Sequence, residues 1–161
     1  MINLNEFLND SLVIKARTKN DLNVLIARNC SKYKHIVVSG GNDEVNRAAV
    51  ESKKVFMLLN PEAERKKDFG GWRNSGLNDV LCRLASQNNV RIGIDIAAIP
   101  ENKIEKAERT GRIMQNIRLC RKFNAKMLIF SSEKEVNDSD LMAVGMTFGM
   151  STSQAKESVS L

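Results

Sequence analysis

Short runs of apolar residues alternate along the chain with longer segments in which apolar residues recur every three or four positions. Five of the short runs are rich in branched residues and nearly continuous in apolar character, as strands buried on both faces are. These runs are residues 11–18, 35–40, 55–60, 90–96 and 125–132. The pattern predicts five parallel strands.

The segments between these runs predict amphipathic helices. They span residues 21–30, 43–52, 75–88, 103–124 and 140–149, and each opens near a residue that caps helix N-termini. The first ten residues also permit a short helix. Regular alternation of strand and helix implies right-handed crossovers and a parallel sheet, either doubly wound or curled toward a barrel. Functional sites then belong at the carboxyl ends of the strands.

Composition narrows the class of protein. A chain of 161 residues with 42% hydrophobic and 27% charged residues predicts one α/β domain, residues 1–161, with a core that needs no disulfide or structural metal. The three cysteines have no CxxC spacing, which argues against a zinc site. No apolar run approaches the roughly 18 residues that cross a bilayer, so we expect a cytoplasmic protein without membrane contact.

Positive charge is concentrated in one predicted helix. The chain carries 25 Lys and Arg against 19 Asp and Glu, a net charge of +6. Residues 103–126 alone hold eight Lys or Arg and two Glu, which also amounts to +6. Ile113, Ile117 and Cys120 predict the buried stripe of this helix, so Arg118 and Lys122 are expected on the opposite side. Such a cationic face is typical of proteins that contact phosphates.

The end of the second predicted strand, "SGGNDEVNR" (39–47), combines a tight glycine turn with a helix N-terminus. Asn42 or Asp43 is expected to cap that helix. Asn46 and Arg47 in its first turn have two interpretations: they reach a phosphate, or they buttress the strand end. The sequence leaves both open.

The end of the third predicted strand is more strongly cationic. Four cations, Arg65, Lys66, Lys67 and Arg73, occur within nine residues, and Ser75 is expected to cap the next helix. Trp72 offers a flat face on which a base can stack. The alternative is a solvated loop in which Trp72 folds over the sheet as a lid.

The sequence gives little support for a catalytic site. The sequence has no GxSxG or HExxH motif, and His35 is its single histidine, which is too few for a histidine metal cluster. Asp95 is the only acid within a predicted strand. We therefore assign no catalytic residue, no metal ligand and no cofactor to the protein.

Three segments together resemble successive motifs of the ribonuclease P protein component 3 family, the archaeal p30-type subunit. They are "SGGNDEVNRAAVES", "SGLNDVLCRLASQNNVRIGI" and "LMAVGMTFGMSTSQAKESVSL", within a collinear resemblance from about Leu12 to the C-terminus. The resemblance implies a TIM-barrel-like fold, related to the PHP phosphoesterases but without their metal site. It also implies a noncatalytic RNA-binding subunit of the ribonucleoprotein that removes the 5′ leader from precursor tRNA.

The partners and cofactors follow from the same resemblance. They are the ribonuclease P RNA, which would hold the catalytic centre and its Mg²⁺, precursor tRNA, and a small RRM-like protein subunit. The family's Asn-Arg pair falls on Asn46 and Arg47, and its basic loop falls on 72–79, where Trp72 replaces an arginine and Asp79 a histidine. Lys106 and Arg112 lie near family arginines. The predicted RNA-binding residues are Asn46, Arg47, Arg65, Lys66, Lys67, Arg73, Lys106, Arg112, Arg118 and Lys122.

Family members usually begin with about two further βα units, so the resemblance predicts an open or incomplete barrel of about five strands. Its unpaired edges would lie at 11–18 and near 125–132. Two other functions stay open at this point. One is a small PHP-like metal-dependent phosphoesterase that uses Asp95, Asp79 and His35, and the other is an α/β scaffold that binds only a protein partner.

Overall fold

Five strands form one parallel sheet in the computed structural model of the chain, which describes residues 7, 9–64, 67–68 and 70–160. The sheet order is β1-β2-β3-β4-β5, the order of the chain itself. The strands are β1 (Ser11–Ile14), β2 (His35–Ser39), β3 (Met57–Leu59), β4 (Arg91–Asp95) and β5 (Met127–Phe130). All five predicted strands are confirmed, and each is shorter than the run that predicted it.

The helices occupy the intervals between the strands. They are α1 (Lys19–Asn29), α2 (Asp43–Glu51), α3 (Asp79–Asn88), α4 (Lys103–Lys122), α5 (Asp138–Thr147) and α6 (Thr152–Ser158), with a 3₁₀ turn at Ile96–Ala98. Asn42 caps α2, as expected, by accepting hydrogen bonds from the backbone of Glu44 and Val45. The helix predicted within the first ten residues falls mostly outside the described residues.

Two helices differ from the prediction. The predicted helix 75–88 begins at Asp79, because the side chain of Asn78, not that of Ser75, accepts the hydrogen bond from the Leu81 backbone. The short helix α6 does not appear in the hydrophobic pattern. It is set by a capping box in which Ser151 and Gln154 bond to each other's backbone N–H groups.

The sheet order explains how the layers are arranged. When parallel strands follow chain order, right-handed crossovers return each helix over the same face of the sheet, as neighbouring βα units do around a (β/α) barrel. The register runs without interruption, for example from Val37 to Met57 and from Gly93 to Leu128. Within the described residues the sheet stays open, with β1 and β5 each paired on one side only. This confirms the predicted open, five-stranded arrangement.

Alternate strand residues contribute to two apolar cores. The larger core joins the sheet to the helices and includes Leu58 and Ile92, both fully buried. The smaller core, on the opposite face, contains Val37, Met57, Leu128, Phe130 and Phe7. Among the described residues, no helix is both long enough and apolar enough to cross a membrane.

Candidate nucleic-acid interface

An open groove runs between the β3–α3 loop (60–78) and the outer surface of α4. We call it the α4 groove. Its lining includes Trp72, Arg73, Met114, Arg118, Leu119 and Lys122. The structure therefore brings three of the predicted RNA-binding residues, Arg73, Arg118 and Lys122, to one surface beside the single tryptophan.

The orientation of α4 explains why its cations face outward. Ile113, Ile117 and Cys120 are almost completely buried, so the predicted inward stripe is confirmed, and Arg118 and Lys122 are exposed. The Lys122 Nζ lies 3.1 Å from Asp79 Oδ2, but both side chains are more than half exposed, and such pairs contribute little in water. Among the described residues, Arg118 has no hydrogen-bond or ion-pair partner.

Arg73 is held in the groove by its own backbone. Its N–H donates to Gln115 Oε1 at 3.2 Å, and Gln115 Nε2 donates to the Arg73 carbonyl at 2.8 Å. The guanidinium lies over Gly111, where an added Cβ would stand 2.6 Å from Arg73 Cζ. A glycine within a helix costs about 1 kcal/mol relative to alanine. The close approach of the Arg73 guanidinium explains why position 111 of α4 is a glycine.

Arg112 lies beneath the groove and not on it. Its side chain is 5% exposed, and its Nη2 lies 3.1 Å from Asp68 Oδ1. That Arg112 contacts RNA stays a prediction, but the structure shows its guanidinium buried and already paired with a carboxylate, which is the arrangement of a residue that positions the loop. Burial by itself would raise the pKa of Asp68. Hydrogen bonds from the Asn74 N–H and from Arg112 outweigh that effect and bring the pKa of Asp68 below its ordinary value. The pair fixes the loop on α4.

Asn46 has a similar positioning role on the other side of the loop. It is completely buried, its Oδ1 accepts from the Gly41 N–H at 2.9 Å, and its Nδ2 donates to the carbonyls of Pro61 and Gly76 at 3.0 and 3.1 Å. Of the two interpretations of Asn46, the structure supports the buttress. Gly76 has φ +75, and an added Cβ there would lie 2.0 Å from the Pro61 carbonyl oxygen.

Ser75 ties the loop to α4 in place of its predicted capping role. The hydroxyl accepts a hydrogen bond from Gln115 Nε2 at 2.9 Å, and the carbonyl accepts one from Asn116 Nδ2 at 3.0 Å. Ser75 is 1% exposed, so these bonds are shielded from water. The groove therefore rests on a buried polar network that fixes the relative positions of its two walls.

Three other predicted RNA-binding residues that the structure describes, Arg47, Lys67 and Lys106, lie outside the groove lining. Arg47 is exposed on α2, and its Nε lies 2.8 Å from Glu51 Oε1, a hydrogen bond that lowers the pKa of Glu51. Lys67 and Lys106 are exposed, and Lys106 precedes Arg118 by about 18 Å along α4. Arg65 and Lys66 lie outside the described residues. Sequence reasoning missed Gly111, although a glycine inside a strongly helical segment is itself a signal of close packing.

The residues proposed for a phosphoesterase do not converge. Asp95 ends β4 and its carboxylate accepts hydrogen bonds from the backbone of Ala97 and from both the N–H and hydroxyl of Ser132, the last at 2.6 Å. His35 begins β2, at the amino ends of the strands and so at the other end of the sheet from Asp95, and it packs against Phe56 with ring centroids 4.3 Å apart. Burial, followed by the charge of Lys34, lowers the pKa of His35.

The third residue of that alternative, Asp79, begins α3 in the helical layer. The geometry therefore gives no support to joint catalysis by these three residues. Within the described ranges, no group of three or more His, Cys, Asp and Glu side chains is placed to hold a metal ion.

A buried ion pair lies at the carboxyl end of β3. The side chains of Glu62 and Arg109 are 1% and 12% exposed, and Arg109 Nε lies 3.2 Å from Glu62 Oε1. Arg109 also donates to the Ala98 carbonyl. Burial raises the pKa of Glu62 above its ordinary value of 4.5, and the charge of Arg109 opposes this effect. The pair anchors the start of α4.

Arg109→Met is expected to lower the free energy of unfolding by about 3–5 kcal/mol at neutral pH, because it leaves the Glu62 charge buried without a partner. A carboxyl with a raised folded-state pKa contributes stability that is lost as pH rises through that pKa. The loss should therefore be smaller at acidic pH, where Glu62 is protonated. Urea denaturation of the variant between about pH 4.5 and pH 8 measures it.

The matched control is the double variant Glu62→Gln/Arg109→Met, which removes both charges. It should recover most of the stability and lose the pH dependence. If Arg109→Met lowers the free energy of unfolding by the same amount at every pH, the unpaired charge of Glu62 is not the cause of the destabilisation.

Comparison with known proteins identifies relatives of this chain. The family model for RNase P subunit p30 matches residues 11–161. Ribonuclease P protein component 3 of Methanothermobacter thermautotrophicus is 32% identical over 153 residues, covering 92% of this chain and 60% of that protein. The corresponding protein of Methanococcoides burtonii is 29% identical over 145 residues, covering 87% and 57%.

A solved structure agrees with these matches. A chain in the cryo-EM structure of archaeal ribonuclease P with mature tRNA superposes with a TM-score of 0.76 at 28% identity, covering 91% of this chain and 62% of that one. This chain thus spans less than two thirds of the length of these relatives. Taken with the open parallel sheet, the matches show that the chain belongs to the RNase P subunit p30 family.

Proposed function

We propose that the chain is a noncatalytic RNA-binding protein subunit of ribonuclease P that supports removal of the 5′ leader from precursor tRNA. The family membership supports this role, as does the likeness to a chain in an archaeal ribonuclease P structure with tRNA. The RNA holds the catalytic centre and its Mg²⁺. A small RRM-like protein subunit is a further partner in this proposal.

The α4 groove is the observation that carries the proposal. Arg73, Arg118 and Lys122 present three cations there, against Asp68 and Asp79. Asp68 lies 3.8 Å from the Arg73 guanidinium and 3.1 Å from that of the buried Arg112, and Asp79 is an exposed helix-start residue. With Arg112 included, four cations stand against two carboxylates, so the surface remains positive overall. Exposed Arg and Lys side chains in an open groove bind RNA phosphates with little sequence preference, through release of counterions.

The mechanism of support is electrostatic positioning. Phosphate contacts fix the register and orientation of an RNA on a protein, while base contacts carry the sequence information. The bonds of Ser75 and Arg73 to Gln115 and Asn116 tie the β3–α3 loop to α4, while Asn46 holds the loop from its other side, so the two walls that carry the three cations are in place before RNA arrives. The protein would thereby reduce the repulsion between the phosphates of neighbouring RNA segments. Without the protein, Mg²⁺ would have to neutralise those charges.

The direct test is binding of the unmodified chain to ribonuclease P RNA, measured by filter retention from about 50 mM to about 200 mM salt. The proposal predicts that the logarithm of affinity falls linearly with the logarithm of salt concentration, with a slope of about three or more charges. Absence of binding at the low-salt end, with correctly folded protein, would reject the proposal.

Gly111→Ala is expected to separate stability from RNA binding. Alanine should raise the free energy of unfolding by up to about 1 kcal/mol, since it favours the helix. The new methyl group displaces the Arg73 guanidinium, which is the flexible end of a side chain. Losing that phosphate contact should weaken RNA binding by roughly 5-fold, a free-energy change of about 1 kcal/mol.

Thermal unfolding and RNA affinity, measured on the same protein, check both effects. Gly70→Ala is the matched control, because no atom lies within 4 Å of the position of its added Cβ. In an Arg73→Ala background, Gly111→Ala should have no further effect on binding. A variant that loses stability but binds RNA normally would contradict the role given to Gly111.

A further inference from the structure

We infer that the α4 groove takes an unpaired segment of RNA, with one base stacked on the indole of Trp72. The inference rests on the proposed RNA-binding function and adds the class of RNA that the groove accepts. It concerns single-stranded ends, bulges and loops, whose bases are free to leave the helical stack.

Trp72 is unusually exposed for its size. Its relative exposure is 70%, and it is the only tryptophan of the chain. A large aromatic side chain left in water forgoes the stabilisation that burial would provide, so its exposure needs a reason. The lid over the sheet, one of the interpretations of this residue, is not what the structure shows.

The surroundings of Trp72 leave room for a ligand. Gly71 precedes it, and no atom lies within 4 Å of the place where a Cβ would stand on that residue. Gly71 has φ +85, a left-handed conformation that favours glycine. Met114 and Leu119 on α4 contribute apolar surface to the same groove.

Charge decides what kind of ligand fits. Arg73 follows Trp72 directly, and Arg118 and Lys122 line the facing helix. Proteins that bind single-stranded nucleic acid combine these two elements, a cationic groove for the backbone and an aromatic platform for a base. A duplex offers its phosphates to the cations, but its bases are already stacked and cannot reach the indole. The combination therefore favours unpaired RNA over duplex RNA.

The single tryptophan makes the inference measurable. Intrinsic fluorescence reports on the indole, while the anisotropy of a fluorescein-labelled RNA reports on binding independently. The probes are a single-stranded oligouridine of roughly 10 nucleotides, a duplex of the same length, and an abasic oligonucleotide that keeps the phosphates. The protein is the full chain.

Stacking predicts that the oligouridine quenches Trp72 fluorescence with the same midpoint as the anisotropy change, and that the abasic probe does not quench. Trp72→Ala should weaken oligouridine binding by about 5- to 100-fold, while Trp72→Phe retains most of the affinity and duplex binding changes little. Tyr33→Ala, which alters an aromatic residue outside the groove, should bind like the unmodified chain.

Three results would overturn the inference, each for a different reason. Oligouridine binding without quenching, unchanged in Trp72→Ala, removes the stacked base but leaves the proposed RNA-binding function intact. Normal RNA affinity in Trp72→Ala, together with a loss of activity only when partner proteins are present, assigns the indole to a protein contact. Failure of every RNA to bind rejects the proposed function and this inference together.

Discussion

Replacing Asn46 with aspartate is expected to lower the free energy of unfolding by roughly 4 kcal/mol, although the two side chains have nearly the same shape. The Asn46 amide donates to the carbonyl oxygens of Pro61 and Gly76. An ionised carboxylate has no proton to donate, so a negative charge would face both carbonyls in a site that excludes water. The loss should shrink at acidic pH, because a protonated carboxyl again donates one hydrogen bond.

The matched control is the same exchange four residues earlier. Asn42 caps α2 as an acceptor, and aspartate serves at such positions as well as asparagine does. The amide of Asn42 donates only one long, exposed hydrogen bond, of 3.4 Å, to the Arg17 carbonyl. Asn42→Asp should therefore change the free energy of unfolding by less than about 0.5 kcal/mol. Urea denaturation of both variants measures the difference. Equal, small effects of the two exchanges would show that Asn46 does not hold the loop.

The triple variant Arg73→Ala/Arg118→Ala/Lys122→Ala is expected to weaken binding to ribonuclease P RNA by on the order of 100- to 1,000-fold at low salt. Each lost contact between a charged donor and a phosphate contributes roughly 1–1.5 kcal/mol, and the three are taken as independent. The slope of affinity against salt should also become shallower by about 2–3, because fewer counterions are released.

A control variant with the same net charge distinguishes the effect of the groove cations on RNA binding from the effect of net charge. Arg28→Ala/Lys32→Ala/Lys54→Ala also removes three exposed cations, on or beside α1 and α2 and outside the α4 groove. It should bind RNA within a few-fold of the unmodified chain. Equal losses in the two triple variants would mean that the positive charge acts as a diffuse field, and the α4 groove would lose its special role.

The sheet is the part of the fold that the sequence predicts best. Runs such as 35–40 and 90–96 are buried on both faces in a parallel sheet, and this requirement leaves a nearly continuous apolar signal. The start of α3 is harder to predict, because Ser75 and Asn78 are both good capping residues. The turn at Gly76 and the bonds that Ser75 makes to α4 decide between them, and these are tertiary contacts.

In the candidate site, too, the sequence predicts some features and only the structure shows the others. The inward stripe of α4 predicts that Arg118 and Lys122 are exposed, and they are. Arg112 is buried because the β3–α3 loop passes over its side of α4, and helical periodicity does not specify the path of a loop. Asn46 matched a family motif, but only the structure shows that its amide bonds to backbone groups. A motif residue can thus position a site without contacting its ligand.

The central claim, that this chain supports ribonuclease P through the α4 groove, is tested most directly by reconstitution. Pre-tRNA cleavage is measured at low Mg²⁺ with ribonuclease P RNA and its other protein subunits, with the chain added, omitted, or replaced by the Arg73/Arg118/Lys122 triple alanine variant. The account predicts that the unmodified chain stimulates cleavage and that the triple variant, although folded, does not. No stimulation by the unmodified chain over the RNA with the other proteins would contradict it.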